Sequence, residues 1–354
     1  MDPRTVEHAK ILVEYSCKVG RGEAVLVMAN AEAIPLAREI AREVGRVGGD
    51  FYCMLQDDSI ERAYLLAADD ETIQREPEPM RRLIEACDAF IQIRSDSNTK
   101  EMGDVPPKKM KLFSRAVGTL TPLVGKKRWN VTLHPTASLA QEAGRSLEAY
   151  TDFVYGATLV DWPEMARRMQ TLADRMGATR SVRITGKETD IVLSIEGRRP
   201  IVDSGEHNLP GGEVFTSPLE DSANGTVYFD KPIIHLGNVV SGVRLTYENG
   251  LIVDHRAEEG GDYLDSLLET DAGSKRMGEL GIGMNRGIRD FSRNILFDEK
   301  MGDTIHMAVG LGFPEAGGTN VSGIHIDMIK GMKAEGAILF DDEPVYSNGR
   351  FVWE

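Results

Sequence analysis

The apolar residues of this chain change their spacing near Gly177, and that change calls for two different kinds of sheet. Before it, short apolar runs alternate with helical periodicity. AVLVM (24–28) follows the turn Gly20-Arg21-Gly22 and precedes a segment where Ile34, Ala37, Ile40, Ala41 and Val44 recur at helical intervals. Gly48-Gly49 stops that helix, and DFYCML (50–55) reads as the next strand. AFIQI (89–93) and WNVTL (129–133) repeat the pattern, each preceded by a helical stretch. Strands separated by helices predict a parallel sheet with right-handed crossovers. LAQEAGRSLEAYTDFVYGA and WPEMARRMQTLADRM (162–176) read as a helical bridge. Beyond Gly177, SVRIT, IVLSI, TVYFD, VSGVRLTY and LIVDH are separated by Gly-Lys, Gly-Arg, Asn-Gly and Glu-Asn-Gly turns, which are hairpin signals. One helical interval, roughly 261–276, interrupts them. The expected fold class is thus α/β plus α+β: an N-terminal parallel-sheet α/β domain over 1–170, then a mixed, largely antiparallel α+β domain over 171–354.

Several functions are disfavoured at this level. Lys+Arg 41 against Asp+Glu 56 gives 41 − 56 = −15 with no basic block, which argues against nucleic-acid binding. The longest apolar stretches run five to seven residues, against roughly 20 for a membrane helix, so no membrane partner is expected. MDPRTVEHAK has no apolar core of signal-peptide type. Cys17, Cys53 and Cys87 are odd in number, lie in apolar contexts and lack CxxC spacing, which predicts buried thiols and a cytoplasmic location. GxGxxG after the first strand, GxxxxGK[ST], GxSxG and HExxH are all absent.

The ionisable residues concentrate after position 200, in LPGGEVFTSPLEDSANG (209–225), MGELGIGMN (277–285), LFDEKMGDTIHMAVG (296–310) and SGIHIDMIKG (322–331). In a strand, residues i and i+2 share a face, so His325 and Asp327 project together across Ile326. Such a pair is costly to bury bare. A structural hydrogen bond and metal ligation satisfy it equally well. His306 lies inside an apolar run, where a histidine is more often a satisfied core residue. Glu213 follows Pro210-Gly211-Gly212 and Glu279 follows Gly278; glycine there lets the backbone come close and aims a carboxylate into a site, although surface turns show the same pattern. Asp298-Glu299 reads equally as a solvated turn, and Arg293, Lys300 and Lys330 as solvated cations that also suit a substrate carboxylate. Two imidazoles with several carboxylates suit divalent ions such as Zn, Co, Mn or Fe. GLGFPEAGG (310–318) reads as a loop lining the site.

Together these segments resemble the metallo-aminopeptidase family that contains aminopeptidases T and S, over almost the whole chain. The likeness rests on VEYSCKVGRGEAVLVMANAEAIPLAREIAREVGRVGG, LPGGEVFTSP, Asp271…Met277-Gly278-Glu279, NILFDEK…IHMAVG and SGIHIDM. It implies a hydrolase that removes the N-terminal residue of a peptide substrate, with two divalent ions (Zn, Co, Mn or Mg) in the second domain and a homodimeric assembly. Carried over by motif, the metal ligands are Glu213, Glu279, His306, His325 and Asp327, with Glu299 matching a further ligand at a spacing about two residues longer than the pattern. Glu213 or Glu279 would shuttle the proton to the leaving amine, and apolar residues of 214–218 and 311–314 would line the side-chain pocket. Phe313 departs from the pattern, which has a tyrosine seven residues after the histidine. Two alternatives remain on the same scaffold. One is a mononuclear Fe(II) ring-opening dioxygenase using His306, His325 and Asp327. The other is a non-catalytic metal-binding homologue.

Overall fold

A computed structural model describes residues 2–354, which form two compact units, each with its own core. The first comprises the chain through Leu159 together with Gly205–Pro210; the second comprises Val160–Ser204 and Gly211–Glu354.

The first unit is built on a parallel sheet in the order Asp50–Gln56, Ala24–Asn30, Ala89–Arg94, Arg128–Leu133, Asn208–Leu209. Val25, Val27 and Ile91 are fully buried, as expected of central parallel strands covered on both faces. The helix Ile34–Val47 buries Leu36, Ala37, Ile40 and Val44, and Gly48 closes it in the left-handed conformation at φ 84°. Ile34, in its first turn, faces solvent instead of the core. Asp2 and Asp57 cap the helices Pro3–Lys10 and Asp58–Ala67 by accepting from Arg4 N and Ser59 N. Cys17 and Cys87 are buried as expected, but Cys53 is exposed. Its strand, Asp50–Gln56, is at the sheet edge, so a single neighbouring strand covers it.

The second unit carries the antiparallel half. Eight strands order as Leu251–Arg256, Val243–Glu248, Asn224–Phe229, Thr189–Ser194, Ser181–Gly186, Ala337–Phe340, Glu343–Ser347, Arg350–Phe351. Strict alternation of buried and open residues in Thr189–Ser194 shows one face turned to the core. A five-stranded sheet orders as His325–Gly331, Thr304–Gly310, Met277–Gly283, Glu213–Thr216, Ile201–Asp203, all antiparallel. Every residue of Met277–Gly283 and Thr304–Gly310 is buried. The helical interval is Gly261–Leu268. The parallel-then-antiparallel order anticipated from spacing is the order observed. Among the described residues, no helix is long and apolar enough to cross a membrane.

The first unit holds two neutral histidines, His8 fully buried and His134 half-buried. Thr132 donates its hydroxyl to Leu209 O at 2.7 Å, so it accepts from His8 Nε2, also at 2.7 Å, and the proton sits on that nitrogen. Burial pushes His8 down to about 3, with His134 adding repulsion, and pushes His134 down to about 4. Both folded values lie below the unfolded one. Stability is therefore intact above about pH 6.5 and falls as the pH drops, because only the unfolded chain takes up these protons. The expected loss is on the order of 2 kcal/mol per histidine between pH 6.5 and 5. Urea unfolding of His8→Gln, which keeps a donor for Thr132, should show a correspondingly smaller decline than the parent; equal declines would contradict the account.

Candidate metal centre

Directly opposite residues in an antiparallel sheet put their side chains on the same face, as do residues i and i+2. In the five-stranded sheet Asp203 lies opposite Glu213, Glu213 opposite Gly283, Gly281 opposite His306, Glu279 opposite Ala308, Ala308 opposite Asp327, and Gly310 opposite His325. One face thus carries Asp203, Glu213, Glu279, His306, His325 and Asp327. Between them lie Gly281, Gly283, Ala308 and Gly310, whose small size leaves a hollow for the charged side chains. Gly281 shows the tolerance: a Cβ there would lie 1.9 Å from His306 Nε2, so only glycine accommodates the imidazole. Gly212, at φ 122°, brings the backbone before Glu213 against Asn285, whose Cβ would lie 2.4 Å from an added Cβ.

Glu279 joins the two histidines. Its Oε1 is 3.1 Å from His306 Nε2 and its Oε2 is 3.2 Å from His325 Nε2. His306 Nε2 also lies 3.1 Å from Glu213 Oε2, outside hydrogen-bond geometry, and His325 Nε2 lies 3.5 Å from Asp327 Oδ1. Two groups of three, Glu213–Glu279–His306 and Glu279–His325–Asp327, converge closely enough to hold a cation each, and they share Glu279. Glu213, Glu279 and His306 are buried; His325 and Asp327 form the more open end. His325 Nδ1 lies 2.8 Å from Leu311 O and donates to it, which directs Nε2 at the carboxylates. Buried Glu213 Oε2 and Asp327 Oδ1 have no hydrogen-bond partner, the condition of oxygens suited to a cation.

Electrostatics reinforces the geometry. Burial opposes charge on both histidines, yet Glu213 and Glu279 raise His306 well above its ordinary value, and Asp327 and Glu279 push His325 up to about 11. Burial likewise opposes charge on Glu213 and Asp327, but Lys300 with His306 holds the first low and His325 the second. In the metal-free chain the imidazolium protons therefore compensate the carboxylates.

Glu299 belongs to neither group of three; it pairs with Lys300. Lys300 is no solvated cation. It is fully buried, 3.1 Å from Glu213 Oε1 and in contact with Glu299, with Asp203 also raising its proton affinity. Burial raises Glu299, the nearby Glu213 and Asp327 carboxylates add to that, and Lys300 only partly offsets them. Lys330 is buried too, donating to Lys187 O and Tyr228 O at 3.1 and 3.2 Å. Asp298 is likewise no solvated turn: it closes the short helix Ile295–Asp298 and accepts from Ser292 N and Oγ at 2.7 and 2.8 Å. Sequence reading missed Asp203 and the pairing of Lys300; the FDEK motif showed charge, but not that the loop folds inward. Phe313 packs its ring 4.9 Å from that of His325 and 5.4 Å from that of Phe215, so the two phenylalanines support a histidine.

A buried sheet face with converging carboxylates and imidazoles defines a metallohydrolase type of site. The sequence profile of the thermophilic metalloprotease family M29 matches residues 1–351, and the chain belongs to that family. Its relatives include aminopeptidase 2 of Geobacillus stearothermophilus, 25% identical over 98% of this chain and 97% of that one. Aminopeptidase AmpS of Bacillus subtilis is 27% identical over 98% of each chain. The solved structure of wild-type AmpT from Thermus thermophilus superposes with a TM-score of 0.87 at 24% identity, covering 99% of both chains. The two sequence relatives carry aminopeptidase names, and none of the three points to a ring-opening dioxygenase.

Two substitutions test the arrangement. Gly281→Ala should displace His306 and weaken divalent-metal affinity about 10- to 100-fold with the fold retained, as read by metal titration and circular dichroism. Unchanged affinity would refute the packing argument. Lys300→Met leaves Glu213 and Glu299 buried without their ammonium and should cost about 3–5 kcal/mol in urea unfolding. A loss below about 1 kcal/mol would show that the ammonium is dispensable.

Proposed function

We propose that this chain is a metal-dependent aminopeptidase that releases the N-terminal residue of peptides with two divalent ions, drawn from Zn, Co, Mn or Mg. One ion is assigned to Glu213, Glu279 and His306, the other to Glu279, His325 and Asp327. The observation that carries this reading is Glu279, whose two oxygens face two different histidines at 3.1 and 3.2 Å. A mononuclear two-His, one-carboxylate centre has no use for a carboxylate between its histidines.

Bound divalent ions polarise a scissile carbonyl and lower the pKa of a water at the site. The chain's own residues supply the rest. Glu213 is restrained at Oε1 by Lys300, which leaves Oε2 free for ligation. His325 keeps its Nδ1 proton on Leu311 O and offers Nε2. We assign proton transfer to Glu299 in preference to Glu213 or Glu279, because it stands outside both groups of three and burial favours its protonated form. A carboxylate of the site is the group suited to hold the free α-ammonium, which a peptide carries only at its N-terminus, and this would account for removal of one residue. Phe313 offers no phenol to the tetrahedral intermediate, so that contact falls to other groups.

We also infer a homodimer, as the resemblance implies. Ile60 and Tyr64, four residues apart on the helix Asp58–Ala67, share an exposed apolar face suited to contact with a second copy. Free Cys17, Cys53 and Cys87 suit a reducing compartment, and we place the protein in the cytoplasm.

Metal analysis with Leu- and Phe-p-nitroanilide assays before and after chelation tests the function. About two ions per chain are expected, with hydrolysis lost on chelation and restored by metal. Activity that survives complete metal removal overturns the mechanism. One iron per chain with no second metal overturns the shared centre.

A further inference from the structure

His325 keeps its direction only while the carbonyl that takes its Nδ1 proton stays in place. That carbonyl belongs to Leu311, in the loop between the strands Thr304–Gly310 and His325–Gly331, and lies 2.8 Å from Nδ1. One residue, Asn320, holds both peptide planes that meet at Leu311. Its Nδ2 donates to Gly310 O at 2.6 Å, which fixes the plane before Leu311. Its backbone oxygen accepts from Gly312 N at 3.0 Å, and that N–H shares a peptide plane with Leu311 O. Nδ2 also donates to Gly273 O at 2.9 Å. Both side-chain partners are carbonyl oxygens, so the amide must turn its NH₂ towards them.

The second acceptor ties the loop to another part of the metal centre. Gly273 precedes the strand Met277–Gly283, which carries Glu279. Asp271 pins it in turn, accepting from Gly273 N at 2.9 Å and from Gly323 N at 2.6 Å. Gly278 backs the same carbonyl from another side, since a Cβ there would lie 2.2 Å from Leu311 O and 2.7 Å from Gly310 O. The remaining anchors of the loop act elsewhere: Phe313 N donates to Ser217 Oγ, and Thr319 N and Oγ1 donate to Glu220 Oε1.

We propose that Asn320 is a positioning residue of the metal centre, whose side-chain amide fixes the Leu311 carbonyl and through it the proton and the direction of His325. An outer hydrogen bond of this kind sets which ring nitrogen stays free for a metal ion. The effect belongs to the ion assigned to Glu279, His325 and Asp327. The histidine of the other group, His306, takes its direction from Glu279 and from the hollow over Gly281. The inference rests on the two-ion centre of the aminopeptidase reading and deepens it by naming what orients its more open ligand.

The experiment titrates Co(II) into the metal-free parent, Asn320→Ala, Asn320→Asp and Thr319→Val by calorimetry. Proton spectra of the Co(II)-loaded proteins in water then report the imidazole N–H groups beside the ions as shifted, exchangeable resonances. Asn320 is half-buried in a loop, and Asn320→Asp keeps its shape without its N–H donors. Thr319→Val removes an exposed anchor of the same loop and leaves the bonds of Asn320 in place. In both Asn320 variants one of the two binding steps should weaken about 10- to 100-fold while the other keeps its parental affinity. The His325 N–H resonance should be protected from exchange in the parent and exchange faster in those variants, and Thr319→Val should match the parent in both readouts. Two steps that weaken together indicate general loosening and overturn the assignment. Parental affinities in both Asn320 variants overturn it as well, as does a parent without a protected resonance. Neither readout needs turnover, so a parent that binds two ions and cleaves no peptide fails the aminopeptidase reading while the assignment of Asn320 stands.

Discussion

The second unit is organised around the cost of burying carboxylates. Asp203, Glu213, Glu279, Glu299 and Asp327 lie on or beside one sheet face, and bare carboxylates at such a depth are not tolerated. Each is offset locally: Asp203, Glu213 and, in part, Glu299 by the Lys300 ammonium, Glu279 by two imidazoles, Asp327 by His325. That compensation dictates the small residues between them, because a sheet face crowded by side chains has no volume for imidazoles lying flat across it. Gly281 under His306 is the clearest case. Asp203 and Asp327 lie on the two outer strands of this sheet, so the cluster spans its full width and ties the register of all five strands to one electrostatic balance.

The two units treat histidine in opposite ways. In the first, His8 is buried and His134 half-buried, and desolvation keeps them neutral. In the second, His306 is buried as deeply as His8, yet adjacent carboxylates hold its proton. The contrast separates burial from neighbouring charge as causes of a shift. It also explains why a histidine in an apolar run has no fixed meaning: the sequence around His306 looks as apolar as the sequence around a core histidine, and the charges that decide its state come from other strands.

Within the M29 scaffold, this chain has particular features around its metal cluster. Phe313 stands where the family resemblance expects a tyrosine, and its ring packs on His325 and Phe215. Lys300 supplies a fixed positive charge that leaves one oxygen of Glu213 unpaired. The loop from Phe291 to Lys300 serves two structural ends: its last residue neutralises the cluster, while Phe291, Arg293 and Ile295 line a neighbouring cavity. That coupling arises because Asp298 folds the loop inward through Ser292 in place of facing solvent.

Much of this was legible from residue order. The parallel sheet of the first unit follows from apolar runs alternating with helical spacing, since both signals are local. The antiparallel strands of the second follow from hairpin turns and period-two alternation, for the same reason. The shared face of His325 and Asp327 follows from their i, i+2 spacing within a strand. Other features depend on residues far apart in sequence. Asp203 meets Glu213 only through strand pairing, and Gly281 underlies His306 only through register. Whether Lys300 is a surface cation or a buried counterion is set by which way its loop turns. Cys53 is exposed because its strand ended at the edge of a sheet, which spacing alone does not reveal. The sequence by itself determined which elements form and which residues share a strand face, because backbone periodicity is local. Tertiary structure alone decided which charges meet, because burial and Coulomb interactions are set by neighbours that the chain brings together only on folding.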